Sequence, residues 1–112
     1  MALVEAAACG KPVITTNWGA AAEVFDSSSA WLVDYDLVDA SGFAYDWPPD
    51  GGVVRMARPR VEHLAAVMRR AYESAEERFS LAEAAAATAR SMTWARAACA
   101  IVERLERPEA EA

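Results

Sequence analysis

The sequence predicts an α/β fold in which a small parallel sheet is followed by C-terminal helices. An alanine-rich helix over residues 2–9 leads through a glycine into a run of β-branched residues. A short crossover then connects this first strand to a second one, which predicts a right-handed βαβ unit. The second half of the chain contains three segments with apolar residues at helical spacing, typical of amphipathic helices.

The boundary between the first helix and the first strand is marked by local signals. Gly10 stands where a helix commonly places its C′ glycine, and Pro12 follows at the usual distance beyond a helix end. Residues 13–16 (Val-Ile-Thr-Thr) are all β-branched and bounded by turn residues. This pattern is typical of a buried parallel strand.

The start of the first helix is a candidate nucleotide site. A helix start presents unpaired backbone N–H groups, which bind phosphates. Glu5, one turn in, can accept hydrogen bonds from ribose hydroxyls. Alternatively, Glu5 only complements the helix dipole. A strand and a loop normally lead to such a helix start, so we expect an incomplete, Rossmann-like half-domain that is truncated at this edge.

The loop formed by Asn17, Trp18 and Gly19 is a second candidate site. It leaves the carboxyl end of the first strand, where open α/β sheets bind ligands. The alternative is a tight turn in which Trp18 covers the core. We expect a short helix over residues 20–25, with Glu23 solvated, then a turn at 26–29 and a second strand at 30–33.

Residues 34–59 differ in composition from the rest of the chain. Their glycines, prolines and aromatic residues predict a long ordered insert or a lid, with a short edge strand over residues 53–56. An acidic and aromatic cluster within it either contacts sugar or pins the insert to the body. The cluster consists of Asp34, Tyr35, Asp36, Tyr45, Asp46 and Trp47.

Three helices are predicted after the insert. The first is expected to bury an apolar stripe made of Val61, Leu64, Ala65, Met68, Ala71 and Tyr72. Ser80 and Glu83 have the spacing of a capping box at the start of the second helix. Thr93 caps the third, whose stripe is Trp94, Ala97, Ala98, Ile101, Val102 and Leu105. The sequence thus predicts a single domain over residues 1–105 and a disordered tail over 106–112.

Composition excludes several classes of function. The 112 residues are 54% hydrophobic and 25% charged, which is typical of one globular domain, and the net charge of −6 argues against nonspecific nucleic-acid binding. No segment has the length of a membrane span or the pattern of a signal peptide, so we expect a cytoplasmic protein. Cys9 and Cys99 are expected to be buried and reduced. With His63 as the single histidine, which we expect at the surface without a catalytic role, no zinc site is predicted.

The chain resembles the donor-binding half of a glycosyltransferase of the GT-B type, closest to the large retaining family 4. Residues 2–14 read Ala-Leu-Val-Glu-Ala-Ala-Ala-Cys-Gly-Lys-Pro-Val-Ile, where that family typically has Leu-Glu-Ala-Met-Ala-Cys-Gly-x-Pro-Val-Ile. The resemblance extends through the loop at 16–19, the strand at 30–35 and the helix at 58–70, which includes His63. It covers residues 2 to about 105. Ala20, Ala21 and Ala22 depart from the glycine or polar residues usual after the loop.

The resemblance implies transfer of a sugar, with retention, from a nucleotide-diphosphate sugar to an acceptor. It implies no cofactor and no obligatory metal. Glu5 matches the second of the family's two glutamates, which holds the ribose, and the amides of Met1, Ala2 and Leu3 match positions that approach the distal phosphate. The first glutamate, the glycine loop, the Arg/Lys pair and the acceptor domain would precede Met1. We therefore expect no catalytic residue in this chain and no sugar transfer by the chain alone.

Two hypotheses for the function follow from the sequence. In the first, the chain is part of a glycosyltransferase donor domain that binds a nucleotide sugar. In the second, it is a non-catalytic interaction module derived from such a domain. An exposed sheet edge or helix face favours the second hypothesis and predicts a homo-oligomer. The nucleotide base, the sugar and the acceptor are not identified by the sequence.

Overall fold

The structure is a computed structural model that describes residues 2–40 and 52–107. It is a mixed α/β fold, as predicted. The elements in chain order are α1 (Ala2–Ala8), β1 (Ile14–Thr16), α2 (Ala20–Val24), β2 (Trp31–Val33), β3 (Tyr35–Asp39), β4 (Arg55–Pro59), α3 (Val61–Glu73), α4 (Ala75–Ser91) and α5 (Trp94–Glu106). The predictions for Met1, for Tyr45, Asp46 and Trp47, and for the tail beyond Arg107 lie outside the described residues.

A Schellman turn ends α1 at the predicted glycine. Gly10 has a φ of +70°. Its N–H donates to the carbonyl of Ala7 at 2.9 Å, and the Lys11 N–H donates to that of Ala6 at 3.0 Å. These are the two hydrogen bonds of the motif, which requires a left-handed residue at this position. The turn reverses the chain between α1 and β1.

The predicted parallel pairing of the first two strands is confirmed. β1 and β2 are parallel, with Thr16 opposite Val33. Between them the chain passes through α2 and a turn in which the Asp26 carboxylate accepts the Ser28 N–H at 2.9 Å and the Ser28 hydroxyl at 2.6 Å. These hydrogen bonds, the Ser28 hydroxyl first, lower the pKa of Asp26 because they favour its charged form.

Two buried clusters cover the two faces of this sheet. Successive side chains of a strand point to opposite faces. One cluster consists of Ala7, Val13, Phe25, Ala30, Ala85 and Ala89. The other consists of Trp31, Val33, Val67, Ala71 and Leu81. Because α4 contributes Leu81 to one cluster and Ala85 to the other, this helix ties the two faces together.

The segment after β2 forms a two-stranded antiparallel ribbon. β3 pairs with β4, with Asp36 opposite Arg58 and Asp39 opposite Arg55. The prediction of an edge strand at 53–56 is therefore wrong in position, since that strand runs from Arg55 to Pro59, and its partner β3 was not predicted. Residues of opposite charge thus stand opposite each other, which favours this register.

The predicted buried stripe of α3 is partly wrong. The helix lies where it was predicted, but its buried residues are Val67 and Ala71, with Leu64 half-buried. Val61, Met68 and Tyr72 are exposed. Residues 64, 67 and 71, at i, i+3 and i+7, form a narrower stripe than the predicted one. This stripe is the part of the α3 surface that reaches the sheet.

The helix α4 begins earlier than predicted. Its N-cap is Ser74, whose side chain accepts the Glu77 N–H at 3.3 Å, and Ser80 lies inside the helix. The prediction that Ser80 and Glu83 form the capping box is therefore wrong. Ser74 and Glu77 have the same spacing, and the Glu77 carboxylate accepts a hydrogen bond from Arg70 Nε at 2.8 Å, which ties the start of α4 to α3.

This assignment predicts different effects for two serines. Ser74→Ala should lower the free energy of unfolding by about 1 kcal/mol because the Glu77 N–H loses its acceptor. Ser80→Ala should change it by less than about 0.5 kcal/mol, since alanine suits an exposed helix interior. Urea unfolding of both variants measures the two values. A larger loss for Ser80→Ala than for Ser74→Ala would contradict the observed helix start.

The last helix is formed as predicted but does not bury its apolar stripe. The Thr93 hydroxyl accepts the Arg96 N–H at 3.2 Å, which confirms the predicted cap. Every residue of α5 is exposed. The radius of gyration is 17.6 Å, against about 13 Å for a compact chain of this length. The elongation fits the limited burial of α5 and of the β3–β4 ribbon.

Two further predictions concern cysteines and membranes. Cys9 and Cys99 are free but exposed, so the prediction that they are buried is wrong. Cys9 lies in the turn after α1, and Cys99 lies on the exposed helix α5. Within residues 2–40 and 52–107, no helix is both long and apolar enough to cross a membrane.

Candidate functional site

The first turn of α1 carries three of the predicted site residues. Ala2 and Glu5 are exposed, whereas Leu3 is half-buried and packs against the cluster that contains Phe25. Met1 lies outside the described residues. In the part of the chain that the structure describes, the Glu5 side chain makes no hydrogen bond or ion pair. Its carboxylate is therefore available to a ligand.

The loop after β1 carries the other three predicted site residues. The Asn17 N–H donates to the Val33 carbonyl at 2.9 Å, which extends the parallel pairing by one residue. The Trp18 N–H turns back to the Thr16 carbonyl at 2.7 Å. Gly19 caps α2 with a φ of +67°, a conformation that other residues seldom adopt. The loop is thus held by its backbone at the carboxyl end of the sheet, and all three residues are exposed.

The first turn of α1 and the loop at 17–19 belong to elements that pack in one buried cluster. Ala7 of α1, Val13 before β1 and Phe25 after α2 lie in that cluster, and Leu3 packs against it. A reversing turn joins α1 to β1. Because open α/β sheets bind ligands at the carboxyl ends of their strands, Glu5 and the loop at 17–19 are treated together as one candidate site.

His63 has a structural role at this edge that sequence reasoning missed. Its Nδ1 accepts the backbone N–H of Asp34 at 3.0 Å, and the Asp34 carbonyl accepts the Arg60 N–H at 2.8 Å. The Asp34 carboxylate lies 3.2 Å from the same Nδ1. In the first of these contacts the backbone N–H is the donor and Nδ1 is the acceptor. His63 thus anchors the start of α3 to the end of β2, and it is only partly exposed.

An ion pair links the ribbon to the start of α3. Arg60 donates from Nη2 at 2.8 Å and from Nε at 3.2 Å to the same carboxylate oxygen of Asp36. The Arg60 hydrogen bond lowers the pKa of Asp36 below its ordinary 3.8, and the same bond raises the pKa of Arg60. Both side chains are about half exposed, so the pair orients the ribbon more than it stabilises the fold.

The lowered pKa of Asp36 predicts a pH-dependent contribution to stability. A carboxyl group with a lowered pKa in the folded state stabilises the fold above its unfolded pKa, and this contribution is lost as the pH falls through the folded pKa. Asp36→Asn should therefore be less stable than the wild type near neutrality, with the gap closing between about pH 5 and about pH 2. Urea unfolding across this range measures the gap. In an Arg60→Gln background the gap should shrink at every pH, and a gap that persists there would contradict the assigned cause.

A groove between α5 and the body is a further concave surface that the sequence did not indicate. Its volume is about 630 Å³. Val4, Val24, Met92 and Ala97 give it apolar walls, and Glu23 and Arg96 add charges at its lining. Glu23 is exposed, as predicted. Only two residues connect α4 to α5, and α5 does not pack closely on α1 or α2. The space between them is the groove.

Within the described residues, no group of three or more His, Cys, Asp or Glu side chains is placed to hold a metal ion. Comparison with family models, with curated proteins and with solved structures gives no match.

Proposed function

We propose that this chain is part of the donor-binding domain of a retaining glycosyltransferase of the GT-B type, with a Rossmann-like half-domain fold. The enzyme would transfer a sugar from a nucleotide-diphosphate sugar to an acceptor, and this chain would carry part of the donor site. The residues that resemble family 4 support the proposal. The observed order of helix, reversing turn, parallel strand and loop is consistent with it.

The unpaired carboxylate of Glu5 is the observation that carries the proposal. It stands in the first turn of α1, and the proposal assigns it to one site with the loop of Asn17, Trp18 and Gly19. A carboxylate accepts hydrogen bonds from the two hydroxyls of a ribose. By the resemblance, the amides of Met1, Ala2 and Leu3 would approach the distal phosphate. In the complete enzyme, such amides and nearby cations would stabilise the leaving diphosphate.

Calorimetric titration with UDP, GDP and ADP tests this proposal. We expect one of the three to bind in the millimolar range or tighter. Glu5→Ala should weaken that binding by roughly ten- to hundredfold, because a hydrogen bond to a charged group contributes about 1.5–3 kcal/mol. Glu76→Ala is the matched control, since Glu76 is an exposed glutamate in the first turn of α4. Absence of binding by all three nucleotides, or equal losses in the two variants, would contradict the proposal.

The same proposal predicts that the chain alone does not transfer sugar. The residues that would complete the donor site precede Met1 in the resemblance, and so does the acceptor domain. Incubation of the purified chain with labelled nucleotide sugars and a generic acceptor measures transfer. Turnover above that of a heat-unfolded sample would contradict the division of the site.

Self-association is a second candidate function, and the exposed stripe of α5 favours it. Trp94 is 87% exposed and Leu105 79% exposed, with Ile101 and Val102 also largely uncovered. Contiguous apolar surface of this kind marks interaction sites. Light scattering at increasing protein concentration should show a dimer or larger assembly that Ile101→Glu shifts towards the monomer. A monomer at every concentration would contradict this candidate and leave nucleotide binding unaffected.

A further inference from the structure

Two aromatic rings meet at the carboxyl edge of the parallel sheet. The register pairs Thr16 with Val33, and Trp18 and Tyr35 each follow two residues after this pair. The centroids of these two rings are 6.3 Å apart and their planes are inclined by 56°. This is within the range of favourable tilted aromatic pairs.

The backbone on both sides of this aromatic pair is fixed. Trp18 is held by the hydrogen bond from its N–H to Thr16, and Tyr35 lies in the ribbon opposite Pro59. Asp34, between the sheet and the ribbon, is bound through its N–H by His63 and through its carbonyl by Arg60. A surface that is ordered before binding loses little conformational entropy when a ligand arrives.

The chemistry of this edge suits a hydroxyl-rich ligand with an apolar face. Trp18 is 42% exposed, so a large part of its indole surface is open to water although its ring contacts Tyr35. The Asp34 side chain is 60% exposed and offers carboxylate oxygens as acceptors. A pyranose presents C–H groups on one face and hydroxyl donors at its rim. A phosphate would instead be repelled by the Asp34 carboxylate.

We propose that Trp18 and Tyr35 bind the pyranose ring of a neutral saccharide, with Asp34 accepting hydrogen bonds from its hydroxyls. The inference deepens the proposed function and rests on it, because it assigns this part of the edge to the sugar and leaves the nucleotide to Glu5 and the start of α1. The sugar can come from the donor nucleotide sugar or from an acceptor glycan, and both present the same ring.

NMR titration of the full chain tests this assignment at single residues. The sequence contains four tryptophans, so the separate indole N–H signals are followed instead of total fluorescence. The probes are the methyl glycosides of glucose, galactose, mannose and N-acetylglucosamine, to about 50 mM, with inorganic phosphate and UDP as comparisons. We expect at least one glycoside to shift the Trp18 indole signal saturably, and phosphate to leave it unchanged.

Variants of Trp18 distinguish stacking of the sugar on the indole ring from other causes of an NMR shift. Trp18→Ala should weaken glycoside binding, followed at the Tyr35 amide, by about three- to tenfold. Trp18→Phe should restore most of the affinity, and Trp94→Ala, which removes an exposed tryptophan on α5, should leave it unchanged. The inference is overturned if no glycoside shifts the Trp18 signal, if Trp18→Ala binds as tightly as the wild type, or if only phosphate or UDP shifts it. Shifts from UDP at Ala2 to Glu5 report on the proposed function separately.

Discussion

Phe25→Ala should destabilise the fold by about 3–5 kcal/mol. Phe25 is 1% exposed and lies in the cluster that joins α1, α2 and α4 to one face of the parallel sheet. Its neighbours include four alanines, Ala7, Ala30, Ala85 and Ala89, whose short side chains cannot extend into the space that the ring leaves. Because small domains are stable by only about 5–15 kcal/mol, this loss is a large part of the total.

Urea unfolding followed by circular dichroism measures this effect. The matched control is Phe79→Ala, since Phe79 is 67% exposed on α4 and its loss should cost less than about 1 kcal/mol. Similar losses for the two variants would show that the cluster around Phe25 is not the core of the fold.

Trp31→Ala should have an effect of the same order, about 3–5 kcal/mol, through the opposite face of the sheet. Trp31 is 5% exposed and packs with Val33, Val67 and Leu81. Its indole Nε1 is buried without a hydrogen-bond partner within the described structure. The ring therefore contributes through its apolar area, and the unpaired N–H subtracts from that contribution.

Trp94 supplies the control of the same residue type. Trp94→Ala should change the free energy of unfolding of the monomer by less than about 0.5 kcal/mol, because the side chain lies in solvent. Trp31→Phe removes the unpaired donor but only part of the ring, so it should cost less than Trp31→Ala. A Trp31→Ala variant as stable as Trp94→Ala would contradict the two-cluster description of the core.

Elements that depend on local signals could be predicted from the sequence. Gly10 and Pro12 mark the end of α1 because a Schellman turn needs a left-handed residue that only a few residue types supply. Thr93 marks the start of α5 because its hydroxyl reaches an N–H in the next turn. The β-branched run at 13–16 indicated the first strand, which spans Ile14–Thr16 and pairs in parallel as predicted, but its residues are half-buried where a buried strand was expected.

Features that depend on distant residues were mispredicted or missed. Two serine–glutamate pairs, at 74/77 and 80/83, fit a capping box equally well. Contacts between α4 and the end of α3 favour the first pair. Arg78, in α4, donates to the carbonyls of Ala71 and Tyr72 in α3. The β3–β4 ribbon was missed, although the matching spacings of Asp36 with Asp39 and of Arg55 with Arg58 could have indicated its antiparallel register.

Individual residues of the candidate site could be predicted from the sequence, but the contacts that position the neighbouring residues could not. Glu5 and the loop at 17–19 were identified from helix and strand ends, which are local features. The contact between Asp34 and His63 joins residues 29 positions apart, and no pattern in the sequence specifies it. The apolar stripe of α5 was recognisable at helical spacing, but spacing does not show whether another surface covers the stripe.

Mapping nucleotide binding by NMR tests the central claim most directly, namely that the carboxyl edge of the parallel sheet binds a nucleotide sugar. Amide shifts are recorded for the full chain with UDP, GDP and ADP. The proposed function predicts that one of these nucleotides shifts the amides from Ala2 to Glu5 and leaves α5 unchanged. Shifts confined to the groove beside α5, or no shift with any of the three, would contradict it.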